Sequence, residues 1–131
     1  MASAFEGPQI RAVGLIAGGD LSAKQFYAVK LSAANTVVVC AGVTDKPYGI
    51  LQNAPKSGEE AEVCVIGQTK ISADALMAVN ASIGTAVDGQ LATYTVADTT
   101  KYIIGICQQG AGAADGLAVA FVNCASIRLL A

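Results

Sequence analysis

The chain has 131 residues, of which 53% are hydrophobic, 5% aromatic and 14% charged, with a formal net charge of −2 and no histidine. A single domain's length with this balance excludes intrinsic disorder, and the slight acidic surplus excludes a nucleic-acid binder that works by neutralising phosphates. The missing histidine removes the commonest general base and the commonest metal ligand.

The chain begins with Met1-Ala2-Ser3-Ala4-Phe5-Glu6-Gly7-Pro8, which has neither the basic nor the long apolar region of a secretory signal. Gly7 and Pro8 break the stretch Ala4 to Arg11 too sharply for a core strand, yet Phe5 and Ile10 give it apolar weight. Residues 1–10 therefore read as an extended arm ahead of a single β domain at 11–131, with a first strand behind a frayed end as the alternative. The next apolar runs, Ala12 to Gly19 and Val37 to Val43, stop at Asp20 and shortly before Asp45 and Lys46. Neither approaches the ~18–20 residues of a spanning helix, so no membrane partner is expected.

Strand signals then dominate. Phe26 to Leu31 and Thr36 to Cys40 are β-branched or aromatic runs joined by the short connection Ser32-Ala33-Ala34-Asn35. Tyr48 to Gln52 and Glu62 to Ile66 follow, separated by the turn-rich Asn53 to Gly58. Ser72 to Asn80 opens on a good N-cap and contains strong helix formers, but nine residues do not settle the period. A short helix near residues 72–79 and an alternating strand both stay open. Thr85 to Val87 and Gln90 to Val96 flank the turn dipeptide Asp88-Gly89, and Tyr102 to Cys107 and Leu117 to Val122 complete the series. The chain ends on Ser126 to Ala131, apolar enough for a closing strand or a subunit contact.

This spacing predicts an all-β fold, a small barrel or sandwich. Gly49-Ile50-Leu51-Gln52, a loop, and Ala61 to Val65 are echoed by Gly105-Ile106-Cys107-Gln108, a loop, and Leu117 to Phe121. The echo predicts two weakly similar β units closing one shared barrel. The Ala and Gly excess fits small inward side chains and tight corners.

Enzymatic chemistry finds no constellation. No Gly-Lys dipeptide exists to build a phosphate-binding Walker loop, and Gly110 to Gly116 places Asp115 where a dinucleotide loop needs a small residue. Glu59, Glu60 and Glu62 read as a solvated turn, and no Asp/Asn pattern makes a calcium loop. Cys40, Cys64, Cys107 and Cys124 form no C-x-x-C pair and mostly sit in apolar stretches, as small reduced core residues do. The expectation is a protein with no catalytic residue, cofactor or metal. A small-molecule or glycan module is the alternative class, with Phe26, Tyr27, Tyr48, Tyr94 and Tyr102 the available aromatic platforms.

Gly18-Gly19-Asp20 ahead of Phe26 to Leu31, the stretch Tyr48 to Gly67, and its echo at Tyr102 to Val122 resemble the small capsid cement (decoration) proteins of tailed bacteriophages. The resemblance implies a compact β-barrel made in the host bacterial cytoplasm. It also implies a homotrimer at local three-fold positions on the virion's capsid exterior, with the major capsid protein as partner. A tail or tail-fibre domain shares the same signals. For an assembly role the candidate contacts are Phe5, Pro8, Ile10 and Arg11 near the start, and Leu129 and Leu130 near the end.

Overall fold

The computed structural model describes residues 7–95 and 101–125, and the backbone of 128–129. The eleven strands among the described residues are β1 (Gln9–Ala17), β2 (Ala28–Ala33), β3 (Thr36–Val39), β4 (Gly49–Leu51), β5 (Glu60–Ser72), β6 (Ser82–Thr85), β7 (Leu91–Thr93), β8 (Tyr102–Ile103), β9 (Gly105–Gln109), β10 (Leu117–Asn123) and β11 (Arg128–Leu129). The all-β expectation holds. Nine strands form one sheet in the order β1-β3-β2-β4-β5-β10-β9-β6-β7, and β8 pairs with β11 separately.

The first five strands close on themselves. β1 runs parallel to β3 at Ile16–Thr36 and antiparallel to β5 from Gln9–Gly67 to Ile16–Glu60. The remaining strands fold back as a second layer hung on the far half of β5, where Leu117 to Asn123 pair with Ser72 to Ile66. Two cores result. One, inside the closed set, contains Leu15, Ala17, Val29, Val37, Leu51, Ala61 and Val63. The other lies between the layers and contains Ala28, Ile50, Cys64, Ile71, Ile83, Leu91, Cys107, Ala118, Ala120 and Val122.

This explains the adjacent apolar pairs Ala28-Val29 in β2, Ile50-Leu51 in β4 and Val63-Cys64 in β5. Val29, Leu51 and Val63 point into the first core, while their neighbours Ala28, Ile50 and Cys64 point into the second, so both faces are dry. A bulge at Val65, where the step Ile10 to Arg11 spans Ile66 to Cys64, lets Val65 join Cys64 against the second core. Beyond it Thr69 and Ile71 are buried, while Ile66, Gln68 and Lys70 lie half-exposed on the other face.

The internal echo is structural. Val29 pairs with Gly49 and Ala28 with Ile50, as Ile83 pairs with Gly105 and Ser82 with Ile106. Ile50 pairs with Cys64 and Leu51 with Val63, as Ile106 pairs with Phe121 and Cys107 with Ala120. The orders β3-β2-β4-β5 and β7-β6-β9-β10 are thus two versions of one four-strand unit.

The helix alternative for residues 72–79 is corrected. Residues 73–81 make isolated bridges and turns: Ala73 N–H donates to Gly116 O, Asp74 N–H to Leu91 O, and Met77 and Ala111 exchange bonds. Met77 is buried but Leu76 and Val79 are exposed, so no helical stripe exists to repay the cost of nucleating two turns. At the other end, β1 starts at Gln9, so Gln9 and Ile10 belong to the sheet and not to an arm. Gly7 N–H donates to Gln68 O, and Gln68 N–H to Pro8 O, extending the same ladder upstream.

Candidate assembly surface

Alternation along β1, the far half of β5, β10 and β9 leaves one apolar face open. Its members are Pro8 and Ile10 from the β1 side, Ile66 from β5, Phe121 from β10 and Ile106 from β9. The ladder fixes their neighbourhood: Ile10 stands opposite Ile66, Ile66 opposite Asn123, and Phe121 stands between Gln68 and Ile106. Ile10 is 62% exposed, Phe121 53% and Ile106 52%. A shallow groove of about 240 Å³ runs among Pro8, Gln9, Ile10, Ile66, Gly67 and Phe121, none of which is ionisable.

Polar groups hold the rim. Gln9 Nε2 donates to Gln68 O at 3.0 Å, and Arg11 Nε donates to Gln9 Oε1 at 2.7 Å. Arg11 also pairs with Glu62 at 3.7 Å. This exposed pair contributes little energy and mainly fixes where the guanidinium sits. Of the six contact residues expected from the sequence, Pro8 and Ile10 therefore line the groove and Arg11 flanks it. Leu129 is a β11 residue opposite Tyr102 and is not part of the groove's described lining. Phe5 and Leu130 lie outside the described residues. In the sequence Phe121, Ile66 and Ile106 look like ordinary strand residues. A signal for Phe121 is present in Ala118-Val119-Ala120-Phe121, where the small residues Ala118 and Ala120 fill the core and the ring is sent outward.

Four of the five aromatic platforms of the ligand-module alternative have local partners of their own, while Tyr102 lies in β8 with its backbone, like the Tyr94 ring, beside Gly84. The Phe26 ring lies under Lys70 Nζ at 5.8 Å and the Tyr27 ring under Lys24 Nζ at 4.8 Å. Tyr94 spends its hydroxyl on Thr85 O at 2.7 Å. Tyr48 shares a groove of about 400 Å³ with Leu31, Lys46, Pro47 and Cys124 and is the one aromatic among that groove's described lining.

The four cysteines are buried thiols outside any disulfide. Burial pushes the Cys40 and Cys124 thiols up to about 12, and raises that of Cys107, so these groups stay protonated and unreactive at neutral pH. Asp45 is held below its usual value chiefly by its 2.9 Å contact with Lys30 Nζ, aided by the N–H groups of Ala41 and Gly42 that donate to the same oxygen.

No family model and no curated protein matches the chain. Among solved structures, the N base of head fiber gp8.5 of bacteriophage phi29 is similar at a TM-score of 0.64 and 12% identity. The match covers 89% of this chain and 96% of that one. At that identity the likeness is one of fold.

Proposed function

We propose that this chain is a structural protein of a bacteriophage virion, a decoration protein that binds the outer surface of the head and reinforces the shell. The observation that carries this reading is the end-to-end correspondence of fold with the base of a phage head fibre. The open apolar face of Ile10, Ile66, Ile106 and Phe121 supports it, because a protein that works by assembly needs surface that becomes dry on contact. Its proposed partners are the major capsid protein and further copies of itself, arranged as a homotrimer.

A second reading, favoured by the same structural neighbour, is the base of a fibre carried on the head. Pelleting the purified chain with phage heads, then heating the heads with and without it, tests the first reading. A decoration protein co-sediments at saturating stoichiometry and raises the temperature at which heads rupture. Binding at a few sites per head with no gain in heat resistance would favour the fibre base. Absence of binding would refute both.

A further inference from the structure

The two halves of the molecule differ in what covers equivalent positions. In the first unit, Ile50 and Cys64 form a cross-strand pair that is 0% exposed, because the second unit lies over it. In the second unit, Ile106 and Phe121 hold the same register positions, behind an equivalent glycine, and are half exposed. The face that one half buries inside the chain is thus presented by the other half to the outside.

Three properties bear on what covers it. The exposed parts of Phe121, Ile106 and Ile10 amount to on the order of 300 Å² of apolar surface, with Pro8 and Ile66 adding to it. A stable contact takes about 800 Å² per partner, a little over half of it apolar, so this face suits the centre of one standard interface. Gln9, Gln68 and Asn123 border it with neutral hydrogen-bonding groups. Identical surfaces brought together repel when their centres are charged; none of the groove's described lining residues is charged, and the charges at its edge are engaged, Arg11 with Glu62 and Lys70 over the Phe26 ring.

We infer that a second copy of this chain packs on this face, placing the Phe121–Ile106 pair of each copy in the contact, beside the symmetry axis of the proposed homotrimer. The second copy is then the partner of the surface used in the virion reading, on which its biological setting rests. The purified full chain with no phage head present suffices to test the contact, so the two can fail separately.

The experiment is sedimentation equilibrium of the wild-type chain and of Phe121→Arg, with Leu76→Arg as a control at a residue exposed elsewhere. The wild type and Leu76→Arg should associate with the same constant in the micromolar range. Phe121→Arg should weaken association by 100-fold or more while keeping its circular dichroism and melting temperature. As a second measurement, Phe121→Cys should cross-link to a covalent dimer under mild oxidation, while Leu76→Cys, in the same buried-thiol background, should not. A wild type that stays monomeric at 100 µM, a Phe121→Arg chain that associates as the wild type does, or equal cross-linking at both positions would overturn the inference.

Discussion

Gly105→Ala examines the internal symmetry at its tightest point. A Cβ at Gly105 would run into the carbonyl oxygen of Phe121 and stand 3.0 Å from Val122 Cα, both backbone atoms of β10. The equivalent Gly49 would meet the Val63 side chain and, at 2.5 Å, the carbonyl oxygen of Cys64 on β5. At both glycines a strand backbone stands in the way, so the paired strands must part. Overpacking of this kind costs about 1–3 kcal/mol, and loosening one or two ladder bonds adds about 1 kcal/mol each. Reduced freedom of the unfolded chain returns about 0.4–1 kcal/mol. The net is about 2–3 kcal/mol, or a fall of roughly 6–15 °C in Tm for a domain of this size. Gly112, with nothing within 4 Å of an added Cβ, is the matched control, and Gly112→Ala should melt at or slightly above the wild type. Differential scanning calorimetry reads both. A Gly105→Ala protein melting within about 2 °C of the wild type, well inside the expected fall, would show that the two glycines do not mark close strand approach. The equivalence of the units would then lose its physical basis.

Native protein at pH 8 should react with none of its four thiols within minutes in an Ellman assay, and with all four once unfolded in guanidinium. Because the Cys40 and Cys124 values in the fold lie near 12 against an ordinary value of 9, their stabilisation is complete below pH 9 and is lost as pH rises towards 12. Urea midpoints should therefore fall across that window, less steeply in Cys124→Ala. The lowered Asp45 value has the opposite sense: its contribution is present above the ordinary carboxylate value of 3.8 and disappears as pH falls through the folded one. Asp45→Asn should flatten the acid limb of a pH–stability profile, leaving the neutral plateau lower by about 1 kcal/mol. Gln52 is buried and donates to Ile50 O and to Thr69 Oγ1 at 2.7 Å, so Gln52→Leu strands polar atoms at the layer junction. The expected loss is about 1–3 kcal/mol in chemical denaturation, partly recovered by adding Thr69→Val.

In the second half β9 and β10 were legible because the repeated Gly-Ile pair located them, whereas β6 lies at Ser82–Thr85 and not at Thr85 to Val87, and Tyr102 to Cys107 divides between β8 and β9 in different sheets. The length of β5 was not legible. Gln68 and Lys70 look like the end of a strand, yet they occupy its outward face while Thr69 and Ile71 stay buried. Closure of the first five strands was hidden for a different reason. It depends on Ile16 lying beside Thr36 in parallel and on a bulge at Val65, and neither leaves a local pattern. Ser72 to Asn80 has helix-forming composition, but its amides find partners in Gly116, Leu91, Ala111 and Cys107, which are distant in sequence. The candidate surface was half readable. Pro8 and Ile10 stand out as apolar residues in a broken segment, whereas Ile106 and Phe121 are indistinguishable from core residues until their unit is seen to be the outer one.

Electron cryomicroscopy of phage heads incubated with the purified chain, compared with heads lacking it, tests the central proposal most directly. A decoration protein predicts extra β-rich density on the outer surface of the shell at repeated lattice positions. Density confined to the tail, or identical heads in the two samples, would contradict it.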